Sequence, residues 1–171
     1  MSIHTLGPDN GSLSVRTKRT GAAAKAGHNL LIEVTAWEAT MDATSIVLDV
    51  DATSLRVREG AGGMQALGDD DKAGIEETID DEVLKKQAIE FRSTSVQVGG
   101  SRIGVEGELT LNGATHPIAF ELNVADGRLG GSVVVKQSDW GMSPYSTLFG
   151  TLKVVDEVEV VLDATWPDQL L

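Results

Sequence analysis

Between residues 102 and 125 the chain changes character at every step, and this alternation constrains its fold more than any other feature. Ile103, Val105, Gly107, Leu109 and Leu111 alternate with Arg102, Glu106, Glu108 and Thr110, and after a short break Ile118, Phe120, Leu122 and Val124 share one face. A repeat of two places successive side chains on opposite faces of a strand, so each run predicts a strand with one buried face. The breaks are Asn112-Gly113 and Asp126-Gly127, dipeptides that tolerate positive φ and mark tight hairpin turns.

The same period recurs along the chain. It predicts strands near 12–19, 30–41, 45–57, 88–98, 102–111, 115–125, 129–137 and 152–165. Leu13, Val15 and Thr17 share a face of the first. Leu30, Ile32, Val34 and Ala36 share a face of the second, with Trp37 opposite, and Ile46, Leu48, Val50 and Ala52 share a face of the third. In 70–87 the spacing changes: Ile75, Ile79, Val83 and Leu84 recur at helical intervals, Asp69 or Asp70 is placed to cap the start, and Lys85 and Lys86 suit the other end. Strands joined by short turns predict an all-β domain over 1–171, an eight-stranded antiparallel β-barrel with a short helical insert near 70–87 acting as a lid. Closure removes sheet edges, and eight strands enclose room for side chains or one small ligand.

Composition narrows the function. Fourteen Lys and Arg against 26 Asp and Glu give a net charge of −12, which repels phosphate-rich partners and argues against nucleic acid or an anionic membrane. It also predicts a ligand whose exposed end is neutral or cationic, unless a buried donor overrides the surface charge. The absence of cysteine excludes disulfides, thiolate metal sites and a cysteine nucleophile. No apolar run is long enough for a transmembrane helix, and the first residues carry no secretory pattern, so a cytoplasmic location is expected. Oligomeric state is open between monomer and homodimer.

Catalytic patterns are weak. His4, His28 and His116 show no metal-binding spacing, and GxSxG, GxGxxG and P-loop motifs are absent. Asp69–Asp71 reads as a solvated helix cap, His4 as part of a frayed terminus and His116 as structural. No metal or cofactor is expected. Aromatic residues make up only 4% of the chain, so the presence of Trp140, Tyr145 and Phe149 within residues 136–150 is informative. Rings with polar tips suit a cavity mouth that recognises an amphiphile, and the competing reading is a loop that plugs one barrel end. His28, which opens an apolar strand, is a second candidate for that mouth. Gly104, Gly107, Gly130 and Gly131 on strands are expected to leave interior space.

These segments together resemble the YceI-like family of lipocalin-like β-barrels. VEGELTLNGATHPIAFEL at 105–122 is similar to the family's G-x-L-T-x-x-G-x-x-x-P hairpin through Gly107, Leu109, Thr110, Gly113 and Pro117. Ile89, Phe91 and Ser93 match its I-x-F-x-S strand. VKQSDWGMSP at 135–144 resembles its R-x-D-F-G-I strand end, with Gln137 where the family often has arginine and Trp140 where it often has phenylalanine. Asp156 to Val160 matches the terminal D-E-V-x-V. The resemblance implies binding of an isoprenoid- or quinone-like hydrophobic small molecule; together with the barrel size and the clustered aromatic residues it leads to His28, Gln137, Trp140 and Tyr145 as the residues expected to shape the mouth. The alternative is an enzyme or accessory protein of small-molecule metabolism that uses His28 and Tyr145 in the pocket.

Overall fold

The structure is a computed structural model that describes residues 3–20, 29–61, 68–142, 146–147 and 152–166. Among them the strands are β1 (His4–Leu6), β2 (Gly11–Arg16), β3 (Arg19–Thr20), β4 (Asn29–Val34), β5 (Trp37–Met41), β6 (Ile46–Val50) and β7 (Leu55–Ala61). The helix α1 (Asp69–Thr78) follows and passes into a wider π turn at Ile79–Val83. Then come β8 (Ile89–Gly99), β9 (Arg102–Leu111), β10 (Ala114–Ala125), β11 (Arg128–Lys136), β12 (Ser146–Thr147), β13 (Leu152–Val154) and β14 (Glu157–Thr165).

The all-β, antiparallel architecture is as expected, but the eight-stranded closed barrel is not. Eleven strands form one curled sheet in the order β1-β5-β6-β8-β9-β10-β11-β14-β2-β4-β7, leaving β1 and β7 as edges, and β12-β13-β3 form a small second sheet. The extra strands arise largely at a corner. The predicted run 30–41 breaks after Val34 and the run 45–57 breaks at Ala52–Ser54. The two breaks are tied together: Thr35 N–H donates to Ser54 O at 2.9 Å, and Asp51 N–H donates to Ala36 O at 3.0 Å. Each strand loses one step of its alternation there. Val34 and then Trp37 face inward, as do Ala52 and then Leu55. Trp37 is therefore buried on the same side as Ile32 and Val34, opposite to a continuous alternation. His4 also differs from expectation, because it lies in β1, paired to Met41, rather than in a frayed end.

The hairpins follow their turn residues. Asn112 and Gly113 have φ of 54° and 73°, and Asp126 and Gly127 have φ of 53° and 73°, the double positive φ of turns whose twist matches the flanking strands. The core is one contiguous cluster running from Leu6 and Leu13 through Phe91, Val105 and Leu122 to Ala164 and Trp166.

The helical insert forms, with its cap shifted by one residue. Gly68 precedes the first turn, and the Asp71 carboxylate accepts from its N–H at 3.1 Å. Beyond the π turn, Leu84 is buried, and Lys85 and Lys86 both adopt positive φ as the chain reverses into β8. Helix α1 lies along the edge strand β7. The Glu76 carboxylate accepts from Val57 N–H at 2.8 Å, and Lys72 Nζ donates to Arg58 O at 3.2 Å.

Two predictions follow from this packing. Leu84→Ala is expected to cost about 2–4 kcal/mol in urea unfolding, through lost burial and the void left behind; a change below about 0.5 kcal/mol, the scale of surface substitutions, would show that the insert is peripheral. At the corner, the Thr53 hydroxyl at 2.7 Å and the Thr53 N–H at 2.9 Å hold the Asp51 carboxyl below its usual range. A depressed folded-state value contributes stability above the unfolded carboxyl value of about 3.9, and that contribution is lost as pH falls through the folded value. Asp51→Ala is therefore expected to unfold more readily than the parent at pH 7, with the gap narrowing in acid below about pH 3.9.

Candidate functional site

The inward faces of the curled sheet do not meet. They enclose a cavity of about 1010 Å³, at the upper end of the range of ligand pockets. Its wall follows from the period of two. Every second residue of β2 (Leu13, Val15) and of β4 (Leu30, Ile32, Val34) lines it, as do Val158, Val160 and Leu162 of β14. Phe91 of β8 and Phe120 of β10 meet over the intervening strand β9, with ring centroids 5.3 Å apart. Helix α1 covers part of the space, and Gly74, Ile75, Thr78 and Ile79 line it from one helical face. Asp70 and Asp71 on the same face are exposed, so the cavity reaches the surface beside the helix N-terminus.

Of the four strand glycines expected to leave interior space, Gly131 alone lines the cavity. A Cβ on Gly107 would lie 2.5 Å from Phe91 Cζ and would also strike the Arg92 carbonyl oxygen, so the missing side chain is what admits the Phe91 ring. A Cβ on Gly131 would sit 2.7 Å from Leu122 Cδ2. Gly104 and Gly130 are not among the lining residues. The cavity is instead the space left by medium-sized aliphatic side chains on a widely curled sheet.

Of the four residues expected at the mouth, His28 and Tyr145 lie outside the described residues. Gln137 lines the cavity and is 6% exposed. It stands two residues beyond Val135 on the inward row of β11, and its Nε2 makes long bonds of 3.4 Å to Val155 O and Asp156 O. Trp140, 4% exposed, is not among the lining residues. Its indole N–H donates to Leu109 O at 2.9 Å, its carbonyl accepts from Asn112 Nδ2 at 3.2 Å, and its ring meets His116 edge to face at 5.6 Å. Trp140 thus fastens the turn after β11 onto the β9–β10 hairpin, and the nearby Met142 lines the cavity.

The polar lining residues that the sequence does not single out as site residues include Thr17 and Arg19. These two continue the inward row Leu13, Val15, and extending that alternation by two residues reaches Arg19. Among the described residues, no group of three or more His, Asp and Glu could hold a metal ion, and no helix is long and apolar enough to cross a membrane.

The fold has known counterparts. BcnA of Burkholderia cenocepacia superposes with a TM-score of 0.63 at 16% identity, over 90% of this chain and 94% of that one. The YceI protein of Campylobacter jejuni superposes with a TM-score of 0.52 at 13% identity, over 80% of this chain and 85% of that one. At these identities the likeness is one of fold. No curated protein matches the sequence. The YceI-like domain matches residues 5–166, nearly the whole length, and the chain belongs to that family.

Proposed function

We propose that this protein binds one elongated hydrophobic molecule, of the isoprenoid or quinone type, inside the curled sheet. The observation that carries the reading is the cavity of about 1010 Å³ with an almost wholly aliphatic and aromatic wall. At about 30 Å³ for each small-molecule unit of liquid volume, it has room for on the order of 30 non-hydrogen atoms. That matches a chain of several isoprene units better than a compact metabolite. Each Å² of apolar surface removed from water favours binding by about 25 cal/mol, and filling the space restores dispersion contacts that the wall now lacks.

In this proposal Gln137 meets the ligand's polar end, with His28 and Tyr145 assigned to the same mouth. Trp140 acts through the turn it fastens rather than by touching the ligand. Two routes test the reading. Native mass spectrometry with organic extraction asks whether a lipid co-purifies, and a farnesyl- or quinone-type probe is titrated while indole fluorescence is followed. Saturable binding is expected, weakened at least tenfold by Val160→Trp, which puts bulk into the cavity; circular dichroism checks that the sheet is intact. The absence of saturable binding to the parent protein would overturn the proposal.

A further inference from the structure

The cavity wall is apolar along most of its length and turns polar where β11 ends. The inward row there reads Val133, Val135, Gln137. Gln137 is 6% exposed and held by its backbone: its N–H donates to Asp156 O at 3.0 Å, and its carbonyl accepts from Met142 N–H at 3.2 Å. Both contacts of its side-chain amide are carbonyl oxygens, Val155 O and Asp156 O, each 3.4 Å from Nε2. Only the N–H₂ end can face two acceptors, so the orientation of the amide is set. Oε1 is left over, and no donor among the described residues reaches it. Thr17 belongs to the same end. Arg16 pairs with Glu159, which places Thr17 opposite Val158, and Val158 pairs in turn with Val135. Thr17 is 9% exposed and its hydroxyl accepts from Leu30 N–H at 3.3 Å. No acceptor for the hydroxyl's own proton occurs among the described residues. This end of the cavity therefore holds one buried acceptor and one buried donor that the protein does not satisfy, and a wholly apolar ligand would leave both unmet at a cost in free energy.

We infer that Gln137 and Thr17 select the head of the ligand, and that the preferred occupant is a lipid ending in a free, uncharged hydroxyl group. The inference rests on the cavity being the ligand site. Gln137 Oε1 requires a head that donates, the Thr17 proton requires a head that accepts, and a hydroxyl does both. An ether oxygen only accepts and an ammonium only donates. A carboxylate also only accepts, and it sets its charge against the Gln137 carbonyl oxygen. Arg19 lines the cavity as well but has an interaction of its own, and the selection draws nothing from it. The exposed Asp70 and Asp71 at the opening, and the net charge of −12, act against an anionic head in the same direction.

The test compares four probes of identical chain on the full-length protein: geranylgeraniol, its methyl ether, and the corresponding carboxylic acid and primary amine, each titrated while indole fluorescence is followed. At neutral pH the alcohol is expected to bind at least tenfold more tightly than each of the others, because each of them leaves at least one buried group unmet. Gln137→Leu is expected to bring the alcohol and the ether to within about twofold of each other by weakening the alcohol alone. Thr17→Val is expected to weaken the alcohol, and Thr17→Ser to keep its preference. Equal binding of alcohol and ether by the parent protein, or tighter binding of the acid or the amine, would overturn the selection and leave the cavity reading intact. An undiminished preference for the alcohol in Gln137→Leu would overturn the role of Gln137. Failure of all four probes to bind would overturn the cavity reading and the selection with it. Because the heads are compared first on the parent protein, the outcome does not depend on the variants folding.

Discussion

A sheet can bend sharply and still keep its apolar residues inside only if neighbouring strands lose step at the same level. Here the bend is made where β4 passes into β5 and β6 into β7, and the two passages are joined by backbone hydrogen bonds between Thr35 and Ser54 and between Ala36 and Asp51. Each strand skips one place in its alternation, so Trp37, Ala39 and Met41 stay on the side set by Ile32 and Val34. Without the paired skip, one half of the bent segment would turn its aliphatic face to water. The Ser54 hydroxyl, bonded to Asp51 O at 2.7 Å and Ala36 O at 3.2 Å, and the Asp51 side chain serve that corner. The cavity inherits its dry wall from it.

The bend leaves two edges where a closed barrel would have none. Edge strands expose unpaired backbone groups that invite other chains to add on. β1 is only three residues long, which limits the exposed row at that edge. β7 is longer, and its N–H at Val57 and carbonyl at Arg58 are taken up by Glu76 and Lys72 of α1. The helix thus stands in for a neighbouring strand with its side chains while its other face covers the cavity.

Much of this was legible in the sequence, for a physical reason: a strand with one dry face writes its period directly into the residue order. The hairpins at Asn112-Gly113 and Asp126-Gly127 and the strands beside them emerge from that signal alone. The corner does not, because a skip of one place inside Leu30–Met41 looks like an uninterrupted apolar strand until the second strand is seen to skip with it. β1 is too short to show any period. At the site, Gln137 follows from its rank in an inward row, and Arg19 could have been reached the same way from Thr17. The glycines mislead, because Gly107 gives its space to the Phe91 ring, a neighbour from another strand that no local pattern announces. Trp140 misleads for a related reason: a rare aromatic residue in a loop can be held by Leu109 and His116 without meeting the cavity at all.

Helix α1 buries none of its residues fully and is tied to β7 by two polar side chains. Each such bond contributes about 1 kcal/mol net, whereas opening the sheet would break entire ladders around a shared core. The two parts of the molecule therefore breathe on separate energy scales. Opening α1 locally breaks these two bonds and its own turns but none of the ladders of β9 to β11. Among the described residues, the side of the cavity covered by α1 is therefore held by less than the sides walled by sheet, and it can open without loss of the fold that surrounds it.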